Sequence, residues 1–290
     1  MAVKILSPWH LFNAIGASKG GQAQVDFLSR GMLMRALLPS NQLWVAIKDV
    51  LVYEDYELLD RFRLSCLPPG ATVVDAGAFV GLYTLKASRY AKRVVALEPG
   101  ERNYWYLESN IRLNRAENVE ARQVALSSRR GVFAFSQAGT VSALQDTGEQ
   151  LVETTTLDDL VEGIGHVDLL KMDIEGTEYG VFAASYSALD EVDKITAEVH
   201  VQNSAHREGL RKMVAKLGHA GFEVVMMPSP FQGVVYGATK PWNCALKRYN
   251  EGNATLYRLL LSLIYGSGRI ARTVKGFMEV GSEGLLYAYR

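Results

Sequence analysis

The sequence has 290 residues and a mass of 32.0 kDa, with 48% hydrophobic and 21% charged residues, a composition that excludes a disordered or fibrous chain. Its 31 basic and 31 acidic side chains cancel, so no net field attracts nucleic acid or anionic lipid, and a nucleic-acid partner is disfavoured. The two cysteines, Cys66 and Cys244, form neither a disulfide framework nor a metal-ligand cluster. They favour a reducing, cytoplasmic setting.

The N-terminal part of the sequence, residues 1–70, reads as an extension before the core. LWVAIKDVLVYED contains two extended runs on either side of Lys48 and Asp49, which predicts a β-hairpin. A short helix is expected between this hairpin and the Pro-Pro-Gly segment at 68–70, because proline and glycine end helices. No run approaches the ~18 apolar residues that a membrane-spanning helix needs.

Residues 71–249 alternate regularly between short apolar runs and helix-like segments. In one such segment Tyr104, Leu107 and Ile111 recur at spacings of three and four, which is one helical face. Buried strands joined by helices predict βαβ units and an α/β fold with a doubly wound, mostly parallel sheet. The predicted strands are 72–76, 93–98, 119–126, 167–173, 194–201 and 222–227.

Two pieces interrupt this alternation. GVFAFS (131–136) and VETTTL (152–157) read as strands that flank a mobile loop rich in small and polar residues. After residue 228 the sequence is turn-rich and leads into CALKRY (244–249). A last strand is expected there, antiparallel to its neighbour because the connection lacks a helical crossover.

The C-terminal part, residues 250–290, is predicted to be a helical extension. Residues 254–278 contain three arginines and one lysine but no acidic side chain. An apolar stretch with a basic face suits contact with a membrane surface. Packing over its own domain or over a second copy, in a homodimer, is the alternative.

A glycine turn follows the first predicted core strand. VVDAGAFVGLYTL places Asp75, Gly77 and Gly81 where a strand ends and a helix begins. Glycines there allow a sharp turn and the close approach of a ligand to the free N–H groups of the helix. The spacing differs from the dinucleotide pattern G-x-G-x-x-G, so a purely structural turn is the alternative.

A carboxylate ends the next predicted strand, RVVALEP, at Glu98. A carboxylate at the tip of the second strand accepts hydrogen bonds from both hydroxyls of a nucleotide ribose. Ligands of open α/β sheets bind at the carboxyl ends of the strands, where Asp75 and Glu98 are both predicted to lie. A solvated strand-end Glu is the alternative.

These motifs and those that follow resemble the FkbM-type methyltransferases. The matching blocks, in chain order, are DAGAFVG, ALEP, NIRLNRAENV, VALSSRRGVFAF, TTLDDL and LLKMDIEGTE, within roughly residues 40 to 249. The resemblance implies a class I methyltransferase fold with a seven-stranded, mostly parallel sheet whose last strand is antiparallel. It also implies S-adenosylmethionine as methyl donor and a hydroxyl acceptor on a sugar, glycolipid or natural product.

The resemblance also implies roles for individual residues. Asp75, Gly77 and Ala78 would lie beside the amino-acid end of the donor, and Gly81 would close the turn. Glu98 would hold the ribose. Val124 and Ala125 would lie near the adenine. Where the family often has Asn, this sequence has Phe79, which removes a polar contact to the donor.

Acidic side chains follow the fourth predicted strand. KMDIEGTE places Lys171, Asp173 and Glu175 at alternate positions, so they share one side if the strand continues. Lys171 within an apolar strand needs an anion, and a structural ion pair with a nearby carboxylate is expected. Asp173 is predicted to align the donor methyl or the acceptor. For Glu175, an N-terminal helix acid is the alternative.

The fifth strand supplies Glu198 and His200, again at alternate positions near its end. Transfer of a methyl group to an alcohol needs a base for the hydroxyl proton, and histidine suits that role. We therefore predict His200 as the base, supported by Glu198, with a satisfied structural histidine as the alternative. Asp173, Glu198 and His200 also suit a divalent metal that clamps sugar hydroxyls.

Three functions are compatible with these residues. The first is an S-adenosylmethionine-dependent O-methyltransferase, which the combination of Asp75, Glu98 and Asp173 favours. The second is a non-catalytic, donor-binding scaffold subunit. The third is an RNA methyltransferase, disfavoured by the zero net charge.

Overall fold

A computed structural model describes residues 4–5, 21–29, 32–39, 42, 47, 50–51, 54–138, 141–145, 150–201, 203–228 and 283–290. Its strands are β1 (Lys4–Ile5), β2 (Gln22–Ser29), β3 (Met32–Pro39), β4 (Thr72–Ala76), β5 (Arg93–Leu97), β6 (Val119–Arg122), β7 (Ala125–Leu126), β8 (Gly131–Ala138), β9 (Val141–Gln145), β10 (Gln150–Thr155), β11 (Leu169–Met172), β12 (Lys194–His200), β13 (Glu223–Pro228) and β14 (Glu283–Tyr289). The α-helices are α1 (Leu82–Ala87), α2 (Glu101–Asn114), α3 (Leu157–Ile164), α4 (Glu178–Ala184) and α5 (Ser204–His219). None of the helices in these ranges is long and apolar enough to cross a membrane.

Seven strands form the central sheet, in the order β13-β14-β12-β11-β4-β5-β6. The pairings among β12, β11, β4, β5 and β6 are parallel, whereas β14 runs antiparallel to both of its neighbours. The prediction of an α/β, doubly wound class I methyltransferase sheet with an antiparallel last strand is confirmed. The predicted core strands all appear, except that 119–126 divides into β6 and β7.

The antiparallel strand comes from a different part of the chain than predicted. It was expected at CALKRY, but β14 lies within the segment 250–290 that was assigned to a helical extension. Residues Gly284 to Tyr289 are all buried, because both faces of a strand inside the sheet are covered. Such a strand reads as a continuous apolar run, which periodicity does not distinguish from a buried helix. CALKRY and the basic stretch 254–278 lie outside the described residues.

The N-terminal hairpin also lies elsewhere. β2 and β3 pair antiparallel, whereas Ile47, Val50 and Leu51, in the segment predicted to be a hairpin, are helical. The spacing of four between Ile47 and Leu51 explains this difference, since it brings both side chains to one helical face. Both are buried in the cluster that covers β2 and β3.

Two asparagines of α2 attach this hairpin to the core. The N–H of Leu37 donates to Asn110 Oδ1 (2.6 Å), and the Asn110 amide donates to the carbonyl of Leu37 (3.0 Å). Asn114, four residues later, makes the same pair of bonds to the backbone of Arg35. The two amides therefore satisfy an edge of β3 as a neighbouring strand would.

A second, four-stranded sheet has the order β7-β10-β8-β9. The predicted strands 131–136 and 152–157 correspond to β8 and β10. The segment between them, predicted as a mobile loop, contains β9, which pairs antiparallel with β8. VSALQ has no period-two alternation of apolar and polar residues, and the flanking turn residues favoured a loop.

Helices α3, α4 and α5 cover one face of the central sheet, with a buried cluster that includes Leu160, Phe182 and Leu210. The opposite face is covered by α1 and by residues 55–66, which form three short 3₁₀ turns. Phe62 from these turns packs edge-on against Tyr287 of β14, with ring centroids 4.8 Å apart. Residues 55–66, together with Glu54, are called the N-terminal strap below.

A buried ion-pair cluster fixes the N-terminal strap to α1. The Lys86 ammonium lies 2.8 Å from Glu54 Oε1 and also contacts Glu57. The Lys86 and Glu57 side chains are almost completely buried, and Glu57 Oε2 accepts the N–H of Leu64 (3.1 Å). The strap is thus held by charges that water does not screen.

We expect Lys86→Ala to lower the free energy of unfolding by about 3–5 kcal/mol, because it leaves buried carboxylates without their cation. Lys212→Ala is the matched control, since Lys212 in α5 forms an exposed pair with Glu208 worth at most about 0.5 kcal/mol. Urea denaturation of both variants measures the difference. Equal losses in the two variants would contradict the assignment.

Candidate active site

Polar side chains form a row on one face of the sheet, at the carboxyl ends of β4, β11 and β12. In the parallel ladder Lys171 stands beside Asp75 on one side and Thr196 on the other. Alternation along each strand places Glu198 and His200 on the face of Thr196. Asp173 follows β11 directly. The structure therefore brings the acids predicted from the fourth and fifth strands to one edge of the sheet.

Lys171 lies at the centre of this row. Its ammonium is 3.1 Å from Asp75 Oδ1 and 3.8 Å from Asp173 Oδ2, and it donates to the carbonyl of Gly77 (2.8 Å). Burial alone would lower the pKa of Lys171, but the charges of Asp75, Asp173 and Glu198 raise it above its usual value. The predicted structural ion pair is confirmed.

Asp75 is completely buried. Its Oδ2 accepts the hydroxyl of Thr84 in α1 (2.6 Å), and its other oxygen faces Lys171. These contacts tie β4, β11 and α1 together behind the glycine turn. A role of Asp75 beside the donor stays a prediction, and its visible contacts are with the protein itself.

The glycine turn has little room for side chains. Gly77 has φ +76°, and a Cβ atom there would lie 1.8 Å from the carbonyl oxygen of Asp173, so the two loops touch through their backbones. The N–H groups of Gly77 and Ala78 both donate to Leu97 O. Gly81 (φ +86°) caps the start of α1.

Phe79 also has a left-handed conformation, with φ 54°. Asparagine adopts this conformation more readily than most residues, which explains physically why asparagine suits this position of the turn. Phe79 is held there by packing against the cluster of the N-terminal hairpin and by its N–H bond to Glu98.

Glu98, at the carboxyl end of β5, is buried beneath the turn. Its Oε2 accepts the N–H of Phe79 (2.9 Å), and its Oε1 accepts the N–H of Gly100 (2.9 Å) and the amide of Asn103 (3.4 Å). Burial raises the pKa of Glu98 to about 7, although these three hydrogen bonds and the charge of Lys171 oppose the rise.

Asp173 has two differently placed oxygens. Oδ2 accepts the hydroxyl of Tyr56 from the N-terminal strap (2.8 Å). Oδ1 is buried and has no hydrogen-bond partner among the described residues. The same Tyr56 hydroxyl lies 3.3 Å from Glu198 Oε2. Sequence reasoning missed Tyr56, because 117 residues separate it from Asp173.

His200 contacts an acid that was not predicted as its partner. Its Nε2 lies 3.4 Å from Glu175 Oε2. Glu175 has φ 56° and precedes Gly176 with φ 98°, so the chain after β11 turns back and directs Glu175 towards β12. Glu198 accepts from the Tyr56 hydroxyl, and its support of His200 stays a prediction.

A third acid, Glu178, lies beneath this pair and is completely buried. Its Oε1 accepts the N–H groups of Ile174 and Gly176 (both 3.2 Å), which stabilises the turn that carries Glu175. Burial raises the pKa of Glu178, and the neighbouring His200 opposes the rise. The buried Glu178 side chain therefore holds the conformation of the turn that carries Glu175.

The alternative metal site is not assembled. Within the described ranges, one group of possible ligands has all its atoms within 4.8 Å of one another, and it comprises His166, Asp168 and Asp193. This group precedes β11 and β12 and so lies at the opposite edge of the sheet. The structure thus gives no support to a divalent metal at Asp173, Glu198 and His200.

The two residues predicted near the adenine follow β6. Val124 is half-buried against the core, and Ala125 is buried at the start of β7. They lie beyond the carboxyl end of the third strand of the α/β alternation, as expected. Contact with a nucleobase stays a prediction.

The sheet order and the polar row together define a class I methyltransferase. The family described as "Methyltransferase FkbM domain" matches residues 75–224, just over half of the chain. The chain belongs to this family of S-adenosylmethionine-dependent methyltransferases.

The individual proteins to which the chain is similar have low sequence identity to it. The chain is similar to "Methyltransferase sdnD" of Sordaria araneosa, with 27% identity over 176 residues, which are 47% of this chain and 68% of the relative. Among solved structures, "StiE O-MT residues 942–1257" is 10% identical, with a TM-score of 0.45 over 87% of this chain and 76% of that one. An rRNA methylase from Streptococcus thermophilus is 11% identical, with a TM-score of 0.42 over 78% and 90%.

The raised pKa of Glu98 predicts a pH-dependent stability. A carboxyl whose pKa rises from 4.5 in the unfolded chain to about 7 in the folded protein binds its proton more tightly when folded. Its contribution to the free energy of unfolding is therefore complete below about pH 4.5 and is lost as the pH rises through about 7. The change amounts to about 3 kcal/mol.

Glu98→Gln should remove this dependence. We expect the difference in free energy of unfolding between wild type and Glu98→Gln to change by about 3 kcal/mol between about pH 4.5 and 8. Urea denaturation across this range measures it. A difference that does not vary with pH would show that Glu98 does not titrate near neutrality.

Proposed function

We propose that this methyltransferase transfers the methyl group of S-adenosylmethionine to a hydroxyl of a sugar, glycolipid or natural product. The observation that supports this proposal best is the arrangement around Asp173. Asp173 Oδ1, which can accept a hydrogen bond, is buried there without a partner among the described residues. In the same polar row, His200 contacts the Glu175 carboxylate. A ligand that supplies a donor group or a positive charge suits such an oxygen.

The residues of the turn fit the proposed donor. Among the described residues Glu98 Oε2 accepts one hydrogen bond, so its second lone pair suits a ribose hydroxyl, whereas Oε1 already accepts two. Gly77, Ala78 and Gly81 form the turn beside it, and Val124 and Ala125 follow the neighbouring strand. When bound, S-adenosylmethionine supplies an activated methyl group. Asp173 is proposed to align the donor or the acceptor.

His200 is proposed to take the proton from the acceptor hydroxyl. A positioned general base contributes about 10²–10⁴-fold in rate, and the Glu175 carboxylate, 3.4 Å from Nε2, orients the imidazole. Glu198, joined to Asp173 through Tyr56, is proposed to hold the acceptor side of the site. Tyr179 donates its hydroxyl to the carbonyl of His200 (2.8 Å) and so fixes the backbone that carries the base.

The partners stay proposals. The acceptor is proposed to be a small-molecule or glycan hydroxyl, and the zero net charge does not favour nucleic acid. From the sequence alone we also propose contact with a membrane surface through residues 254–278, a homodimer and a cytoplasmic location.

The first experiment tests donor binding. Glu98→Ala should weaken the binding of S-adenosylmethionine by about 1–3 kcal/mol, the range for hydrogen bonds to a charged group. Glu101→Ala is the control, because Glu101 is an exposed glutamate at the start of α2, directly after the loop that carries Glu98. Calorimetry that gives Glu98→Ala the affinity of wild type would reject the ribose assignment.

The second experiment tests the base. His200→Ala should leave donor affinity nearly unchanged and lower turnover by about 10²–10⁴-fold, measured as labelled methyl transferred to a panel of saccharides and natural-product alcohols. Glu175→Gln should retain part of the activity, because the amide can still contact His200 Nε2 where the carboxylate does.

His219→Ala is the matched control, since His219 is exposed and bonds the carbonyl of Ala215. A His200→Ala enzyme with wild-type turnover would remove His200 from the mechanism. Wild-type protein that binds the donor but methylates nothing in the panel would favour a scaffold subunit. Transfer of the methyl group to RNA, and to no member of the panel, would favour an RNA methyltransferase.

A further inference from the structure

The N-terminal strap reaches the polar row through one side chain. The Tyr56 hydroxyl lies 2.8 Å from Asp173 Oδ2 and 3.3 Å from Glu198 Oε2. Its ring faces the Lys171 ammonium, which lies 4.9 Å from the ring centroid. Tyr56 is only 3% exposed. A single tyrosine from outside the alternating core therefore contacts groups from β11, β12 and the loop after β11.

Several charged groups surround Tyr56. Three carboxylates, those of Asp75, Asp173 and Glu198, act on one ammonium, that of Lys171, and Asp75 lies closest to it. Like charges that share a partly buried site repel each other and favour protonation of one of them. A hydroxyl that donates to such a carboxylate stabilises its ionised form.

A tyrosine hydroxyl has one proton. It can donate fully to one carboxylate at a time, and the distances favour Asp173. With Oδ2 engaged in this way, the rotation of the Asp173 carboxyl group is restricted. The second oxygen, Oδ1, is then kept as the buried acceptor described above.

The position of Tyr56 is fixed from both sides in the chain. Glu54 and Glu57 hold Lys86 of α1, the helix that begins directly after the glycine turn. The carbonyl of Asp55 accepts the hydroxyl of Tyr287 in β14. Tyr56 therefore sits in a segment whose backbone has little freedom, as a residue that orients a catalytic group requires.

We propose that Tyr56 is a positioning residue for methyl transfer: its hydroxyl keeps Asp173 oriented and linked to Glu198. The proposal rests on the proposed function of the site. It differs from a packing role, in which the ring alone would fill the core and the hydroxyl would contribute nothing.

Tyr83 provides a matched control for the hydroxyl. It packs edge-on against Tyr56, with ring centroids 5.5 Å apart, and it is equally buried. Its hydroxyl has no hydrogen-bond partner within the described part of the chain. Tyr56→Phe and Tyr83→Phe thus remove the same atom from adjacent rings, with and without a carboxylate partner.

We expect Tyr56→Phe to lower kcat by about 10- to 100-fold, the range for a misplaced catalytic group, with the KM for the donor nearly unchanged. Tyr83→Phe should stay within about twofold of wild type in both kcat and KM. A Tyr56→Phe enzyme with wild-type kcat would overturn the proposal.

A second measurement does not depend on activity. The unfolding equilibrium constants of Tyr56→Phe, Asp173→Asn and the double variant should deviate from additivity by at least about threefold. The cycle of Tyr83→Phe with Asp173→Asn should be additive. If wild type transfers no methyl group, the proposed function fails, and additivity in the Tyr56 cycle would then overturn the contact between Tyr56 and Asp173 as well.

Discussion

The buried ammonium of Lys171 is the interaction on which the site depends. It joins Asp75 of β4, the carbonyl of Gly77 and the loop that begins at Asp173. Removing one partner of a buried ion pair is much more costly than removing an exposed one, so these three pieces of chain are constrained to move together. The close backbone contact between Gly77 and Asp173 is possible because Gly77 has no Cβ atom, and Lys171 contacts both loops at this edge of the sheet.

A second constraint comes from outside the alternating core. The N-terminal strap covers one face of the sheet and carries Tyr56 to Asp173 and Glu198. Its own anchor, Lys86, lies in the helix that follows the glycine turn. The proposed donor side and the proposed acceptor side are therefore connected twice: through Lys171 within the sheet, and through α1 and the strap above it.

Much of the fold was predictable because the strands of a parallel sheet are buried on both faces and read as apolar runs. β14 has the same character, but its neighbours β12 and β13 are chosen by tertiary packing, which no local pattern records. The N-terminal hairpin was misplaced for a related reason. The apolar residues around Lys48 suit a strand or a helix, and burial of Ile47 and Leu51 on one face decides for the helix.

The site was predictable in part for similar reasons. Alternation along β11 and β12 places Lys171, Glu198 and His200 on one face, and the expected ion pair of Lys171 followed from the burial of a charge. The partner of His200 was missed because Glu175 reaches it through a left-handed turn, a conformation unusual for glutamate. Tyr56 was missed because its contact joins residues far apart in sequence.

The place of β14 in the sheet has a consequence for the order of folding. Among the described strands, β13 pairs with the central sheet only through β14, which comes after both β12 and β13 in the chain. Until Glu283–Tyr289 leaves the ribosome, β12 and β13 therefore lack the strand that pairs with both of them. Unpaired strand edges can pair with other chains. The Tyr287 hydroxyl of β14 also donates to the carbonyl of Asp55 in the N-terminal strap. The polar row therefore reaches its final geometry when β14 joins the sheet.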